Sequence, residues 1–106
     1  RMPIPPRSVR RVAASALERR RERRKTTQRP GGTAVGVARA RDLAAGRDLP
    51  FRTLQRMRSF FARHDTAEER AARREDDMSP AAIAWDLWGG DAGRRWAESQ
   101  LKRRGL

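Results

Sequence analysis

With 106 residues, 37% charged and 37% hydrophobic, the chain has the length of one modest domain and too little apolar material for a large core. Its 26 Lys and Arg against 13 Asp and Glu give +13, and every cation except Lys25 and Lys102 is arginine, which forks onto phosphate and carboxylate, so an anionic partner is expected. The absence of Cys excludes disulfides, thiolate chemistry and zinc knuckles, the single His64 excludes a multi-histidine metal site, and no apolar run reaches the length of a membrane span or signal h-region.

The charge is uneven. Residues 1–29 hold 11 basic and 2 acidic side chains, a net of +9, whereas residues 30–106 hold 15 and 11, a net of +4. The expected division is therefore a basic N-terminal helix or arm over 1–29 and a compact helical domain over 30–106. Met2 is expected to be the natural start, with Arg1 a remnant ahead of it.

Pro3, Pro5 and Pro6 keep the first residues extended, and Ser8 is the expected N-cap of the first helix, 8–25. Val9, Val12, Ala13, Ala16 and Leu17 share one helical face, so the first two turns should dock on the body. From Glu18 to Lys25 the sequence is ERRRERRK, with no apolar residue. Such a run is either a solvated helical end or a phosphate-binding arm, and in the second reading Arg19, Arg20, Arg21, Arg23, Arg24 and Lys25 are the binding residues.

Thr26 to Gly32, TTQRPGG, is a turn. No strand precedes Gly31-Gly32, and neither GxxxxGK[ST] nor GxGxxG is present, so a plain N-cap turn is favoured over a nucleotide loop. Thr33 should cap a helix over 33–45 with Ala34, Val35, Val37, Ala38, Leu43 and Ala45 as its small-residue packing face and Gly46 at C′. Pro50 opens a third helix, 51–63, whose inner side is Phe51, Leu54, Met57 and Phe61 with Phe60 as a flank. Arg52, Arg56 and Arg63 lie on another face. They form a basic stripe of the kind a groove-binding helix uses, and the order helix, turn, basic helix loosely matches helix-turn-helix DNA readers; arginines that only face water are the bland alternative.

His64 suits a helix C-terminus as a capping or surface residue. Asp65 to Asp77, DTAEERAARREDD, has no face to bury and is either a solvated helix near 66–76 or an excursion. Glu68, Glu69, Glu75, Asp76 and Asp77 lack metal-loop spacing, so ion pairing with the neighbouring arginines is expected instead. Ser79-Pro80 is an N-cap followed by an N1 proline. PAAIAWDLW is apolar on nearly all sides, placing Ile83, Trp85, Leu87 and Trp88 at the heart of the core in a helix over 80–88. Gly89-Gly90 should end it and Asp91 cap the last helix, 91–104, with Trp96, Ala97 and Leu101 inside and Lys102, Arg103 and Arg104 on the C-terminal dipole. Tryptophans can stack on unpaired bases, but helical spacing beside Ile and Leu favours core packing.

At GGTAVGVARARDL, RMRSFFARH and WDLWGGDAGRRWAESQL the chain resembles a small helical domain of tailed-bacteriophage proteins, found alone or appended to head-assembly and head-maturation polypeptides. The resemblance spans about residues 8–103 and brings no defined catalytic or binding residue with it. Asp65 to Asp77 stands where such domains often continue with valine-aspartate-lysine and a further tryptophan.

The expectation is an all-α bundle of four to five short helices with a basic N-terminal arm. No catalytic residue, cofactor or metal is expected. The first functional reading is a non-enzymatic phage-type protein that binds DNA through arginine–phosphate contacts with weak sequence preference. The second is a minor virion or head-assembly component that meets an acidic protein surface. Phage head proteins are then the partners, no membrane is involved, and the site of action is the host cytoplasm or the virion.

Overall fold

The computed structural model describes residues 1–106 and is wholly α-helical: α1 (Arg7–Arg24), α2 (Ala34–Ala44), α3 (Phe51–Arg63), α4 (Ala67–Glu75), α5 (Pro80–Leu87) and α6 (Gly90–Arg104). This is the expected small all-α bundle, though with six helices where four to five were expected, the charged segment left open between 66 and 76 forming a helix of its own. α1 packs against α2, α5 and α6; α3 lies on α6 and α4 on α5.

The start of α1 departs from expectation. Pro6, not Ser8, occupies the N-cap position, without a side-chain cap, and Ser8 is exposed inside the first turn. The extended Pro6 backbone turns its carbonyl onto the amides of Val9 and Arg10, both at 3.0 Å. The proline segment ahead of it is tied down, because Leu49 N–H donates to the Pro3 carbonyl at 2.9 Å and Arg10 Nη1 to the Pro5 carbonyl at 2.9 Å.

Val9, Ala13 and Ala16 form the buried stripe of α1, and their small side chains let its neighbours approach closely. Beyond Leu17 the stripe does not end but changes chemistry. Arg19 reaches the Asp86 carboxylate at 2.6 Å and the Asp77 carbonyl at 2.6 Å, and Arg20 Nε donates to the Gly31 carbonyl at 2.8 Å. Long arginine stems cover apolar surface while their heads find partners, which is how the end of α1, without apolar residues, stays docked. The radius of gyration, 13.2 Å, is what one compact domain of this length gives, about 13 Å, so α1 belongs to the common body.

α2 is rotated relative to the expected face. Gly36, Ala40 and Leu43 are buried, with Val37 and Ala44 at the edge, whereas Ala34, Val35, Ala38 and Ala45 are exposed. The apolar residues of α2 encircle it, so their distribution alone did not give the phase. Gly36 settles it: a Cβ there would lie 3.3 Å from Trp88 Nε1. Thr33 caps the helix as expected, accepting from Gly36 N–H at 3.2 Å. At the other end Gly46 adopts φ 69°, its N–H bonding the Leu43 carbonyl at 3.0 Å and Arg47 N–H the Asp42 carbonyl at 3.1 Å, a Schellman closure.

Leu54, Met57 and Phe61 of α3 meet Ile83, Trp85 and Leu87 of α5, its C-cap Trp88, and Ala97 and Leu101 of α6 in one core, while Phe51 and Trp96 are half-buried at its edge. The α5–α6 junction corrects a second expectation. α6 begins at Gly90 behind a left-handed Gly89, and Asp91 does not cap it; the Asp91 carboxylate instead accepts the Trp85 indole N–H at 2.9 Å. α4 buries no residue and is held at its start by Thr66, whose hydroxyl accepts from Glu69 N–H at 3.1 Å and donates to the Glu69 carboxylate at 3.0 Å. That is a threonine N-cap reinforced by a side-chain bond to the glutamate three residues on, legible as T-x-x-E.

Candidate nucleic-acid interface

The six cations expected in the arm divide by helical angle. Arg19 is consumed by its ion pair, with only 15% of its side chain exposed. Arg23 is half-buried with its Nε enclosed and unpartnered, and Lys25 pairs with Glu22 at 3.0 Å in open solvent. Arg20, Arg21 and Arg24 form no ion pair; Arg20 keeps its η nitrogens free while its Nε holds Gly31.

Those three line a groove between α1 and α2 of about 270 Å³, together with Leu17, Val37 and Arg41. Residues 17, 20, 21 and 24 are neighbours on one side of a helix, and Val37 and Arg41 are one turn apart on the other wall. Leu17 and Val37 thus supply the apolar residues of the groove and four guanidiniums surround them. No carboxylate lines it. Burial first, with the charges of Arg24 and Arg41 adding to it, pushes the Arg20 guanidinium below its ordinary value. Arginine stays protonated regardless, so the groove is a fixed positive site. Sequence reading missed Arg41. Its signal was the four-residue step from Val37, usable only once α2 is placed against α1.

Arg52, Arg56 and Arg63 are exposed and unpaired, as a stripe on α3 requires. They do not join the α1–α2 groove. Arg56 and Arg63 border a separate groove of about 500 Å³ whose apolar lining includes Val35, Phe60, Ala84 and Trp88. Arg39 lines neither groove; it is paired with Asp42 at 3.2 Å and poised over the Trp88 ring at 5.7 Å. Burial lowers its pKa, an effect Asp42 opposes and Arg56 reinforces.

A third cleft, also about 500 Å³, brings together Asp65, Asp77, Asp86 and Asp91 with Arg70, Arg73, Arg74 and Arg94. Its charges balance, so it has no preference for an anion. The acidic segment also corrects an expectation. Glu69 pairs with His64 at 2.8 Å, and Glu68, Glu75, Asp76 and Asp77 form no ion pair with an arginine. The nearby arginines serve other groups, Arg70 bonding Asp65 at 2.6 Å and Arg73 lying 3.7 Å above the Trp85 ring.

Trp85 and Trp88 are 4% and 8% exposed, so neither offers a ring face to a base. Phe60 stacks on Trp88 with centroids 4.6 Å apart at 12° and also packs against the His64 ring at 4.6 Å. No three His, Asp or Glu side chains come together as a metal site, and no helix is long and apolar enough to cross a membrane. Comparison with protein families, curated proteins and solved structures finds no match to this chain.

Proposed function

We propose that this is a phage-type, non-enzymatic nucleic-acid-binding protein that holds DNA through arginine–phosphate contacts in the α1–α2 groove. The observation that carries the reading is the convergence of Arg20, Arg21, Arg24 and Arg41 on one groove without a carboxylate. A duplex presents a negative charge about every 1.7 Å along its axis, and guanidiniums that neutralise phosphates release condensed counter-ions. The exposed side of α2 beside Arg41 carries Ala34, Ala38 and Ala45, small enough for a sugar–phosphate backbone to lie close.

Phosphate contacts fix register and orientation but carry no base information, so sequence preference is weak. Arg52 stands apart as an exposed cation that adds to the field without lining the groove. The three sequence blocks that resemble a tailed-phage domain support a phage setting, where DNA is met in the host cytoplasm or the virion.

Titration of a fluorescent random-sequence duplex at ~50 mM salt tests this, comparing the chain with the triple variant Arg21→Gln, Arg24→Gln, Arg41→Gln. Arg20 is left in place because it also holds Gly31. The variant binds at least roughly tenfold more weakly if the groove holds phosphates. Equal affinities refute the reading.

A further inference from the structure

The groove between α3 and the start of α2 differs in kind from the phosphate groove. It is nearly twice as large, and its lining combines Val35, Phe60 and Trp88 with Arg56, Arg63 and His64. Val35 is 59% exposed, a large apolar side chain left in solvent at the rim. Neither Arg56 nor Arg63 has a carboxylate partner, and no Asp or Glu lines the groove. Glu69, the acid that contacts His64, is engaged by His64 Nδ1 and the Thr66 hydroxyl.

We infer that this groove is a docking site for an acidic segment of a partner protein, one that seats a large apolar side chain on Val35, Phe60 and Trp88 between two carboxylates that bond Arg56 and Arg63. Charge complementarity selects the acids, since two unpaired guanidiniums flank an apolar surface with no anion of its own. The spacing selects the segment. Arg56 and Arg63 are seven residues apart, so they project from the same side of α3 with roughly 10 Å of rise between them. An extended peptide advances about 3.3 Å per residue and turns alternate side chains to opposite faces, so acids at i and i+4 with the apolar residue at i+2 face the groove together and span about 13 Å, within reach of two long arginine side chains. Arginine and tryptophan are the residue types that most often dominate the energetics of such contacts.

A nucleic acid fits less well. The rings of Phe60 and Trp88 stack on each other, so the faces they turn together are closed to a base. An apolar floor contributes nothing to a phosphate backbone. The inference stands independently of DNA binding in the α1–α2 groove and gives the chain a second, separate attachment point for protein.

The probe is an acetylated peptide with Asp-Ser-Phe-Ser-Asp at its centre and glycine flanks. Its two controls carry Asn-Ser-Phe-Ser-Asn and Asp-Ser-Gly-Ser-Asp in the same frame. Titrated into the ¹⁵N-labelled full chain, the probe shifts the Trp88 indole signal and the backbone signals of Val35 and Arg63 saturably, while both controls bind at least about tenfold more weakly. The double variant Arg56→Gln, Arg63→Gln and the single variant Val35→Asp each lower the probe's affinity about tenfold. Val35 lies in the exposed first turn of α2, where a carboxylate suits the helix dipole, so helix content is retained. Four results overturn the inference: no shift at these signals, shifts confined to Arg20 and Arg41, equal binding of the Asp-Ser-Gly-Ser-Asp control, or displacement of the probe from the groove by random-sequence duplex.

Discussion

Arg19 Nη2 lies 2.6 Å from Asp86 Oδ2, a pair that bolts the charged end of α1 to α5 with both side chains mostly out of solvent. The pair removes one arginine from the cationic surface and explains how a helix written ERRRERRK stays docked. Burial nevertheless outweighs the attraction at Asp86, whose pKa is raised from its ordinary value despite the hydrogen bond from Arg19. Such a pair contributes register more than stability.

Arg19→Ala strands a part-buried carboxylate and is expected to cost roughly 1–3 kcal/mol in urea unfolding. The double change Arg19→Met, Asp86→Leu is expected to recover most of that loss, because apolar side chains of similar volume remove both desolvation penalties. A double variant as unstable as the single one contradicts this account of the pair.

Two aspartates give opposite pH slopes. Asp65 is held below its ordinary value chiefly by hydrogen bonds from Arg70 and Arg94, so between its folded and unfolded pKa the unfolded chain binds more protons. Its contribution is present above about pH 4 and is lost as pH falls through the folded value. Asp86 is raised, so the folded chain binds more protons and its ionisation lowers stability as pH rises from about 4 through its folded value. Urea midpoints across that range for the parent chain and Asp65→Asn check the first sign: the parent's advantage over the variant shrinks on acidification.

Gly93→Ala tests the α5–α6 crossing. A Cβ on Gly93 would sit 2.7 Å from the Trp88 carbonyl oxygen, a backbone atom, with Val9 Cγ1 at 3.7 Å behind it. The helix-propensity gain of about 1 kcal/mol does not offset that clash, and a net loss of roughly 1–3 kcal/mol in thermal or urea unfolding is expected. A more stable variant shows that the junction can relax.

Thr66→Ala removes the hydroxyl that caps α4, a helix with no buried residue to compensate. The expected loss is about 1 kcal/mol of local stability, read as faster amide exchange at Glu69 and Arg70 with little change elsewhere.

The helices were legible because their punctuation is local. Thr33, Gly46, Pro50 and Ser79-Pro80 each mark a boundary by their own chemistry, and the core of Ile83, Trp85, Leu87 and Trp88 follows from an apolar run no solvated helix tolerates. The site was legible only in part. Arg19 and Arg21 are the same residue type two positions apart, yet one is paired inside the fold and the other faces solvent, a difference set by Asp86 in a helix 67 positions away from Arg19. Arg41 joins the groove through the packing of α2 on α1, and the phase of α2 depends on how closely Trp88 approaches Gly36. Charge composition pointed to an anionic partner; which arginines remain free to meet it is a tertiary property.

The most direct test of the phosphate groove is the salt dependence of duplex affinity for the parent chain, for the triple variant Arg21→Gln, Arg24→Gln, Arg41→Gln, and for Arg52→Gln as a charge control outside the groove. Each lost phosphate contact lowers the slope of log affinity against log salt by about 0.9, so the triple variant is expected to be shallower by roughly 2.7 and the control nearly unchanged. Equal slopes for the triple variant and the parent would contradict the assignment of phosphate binding to the α1–α2 groove.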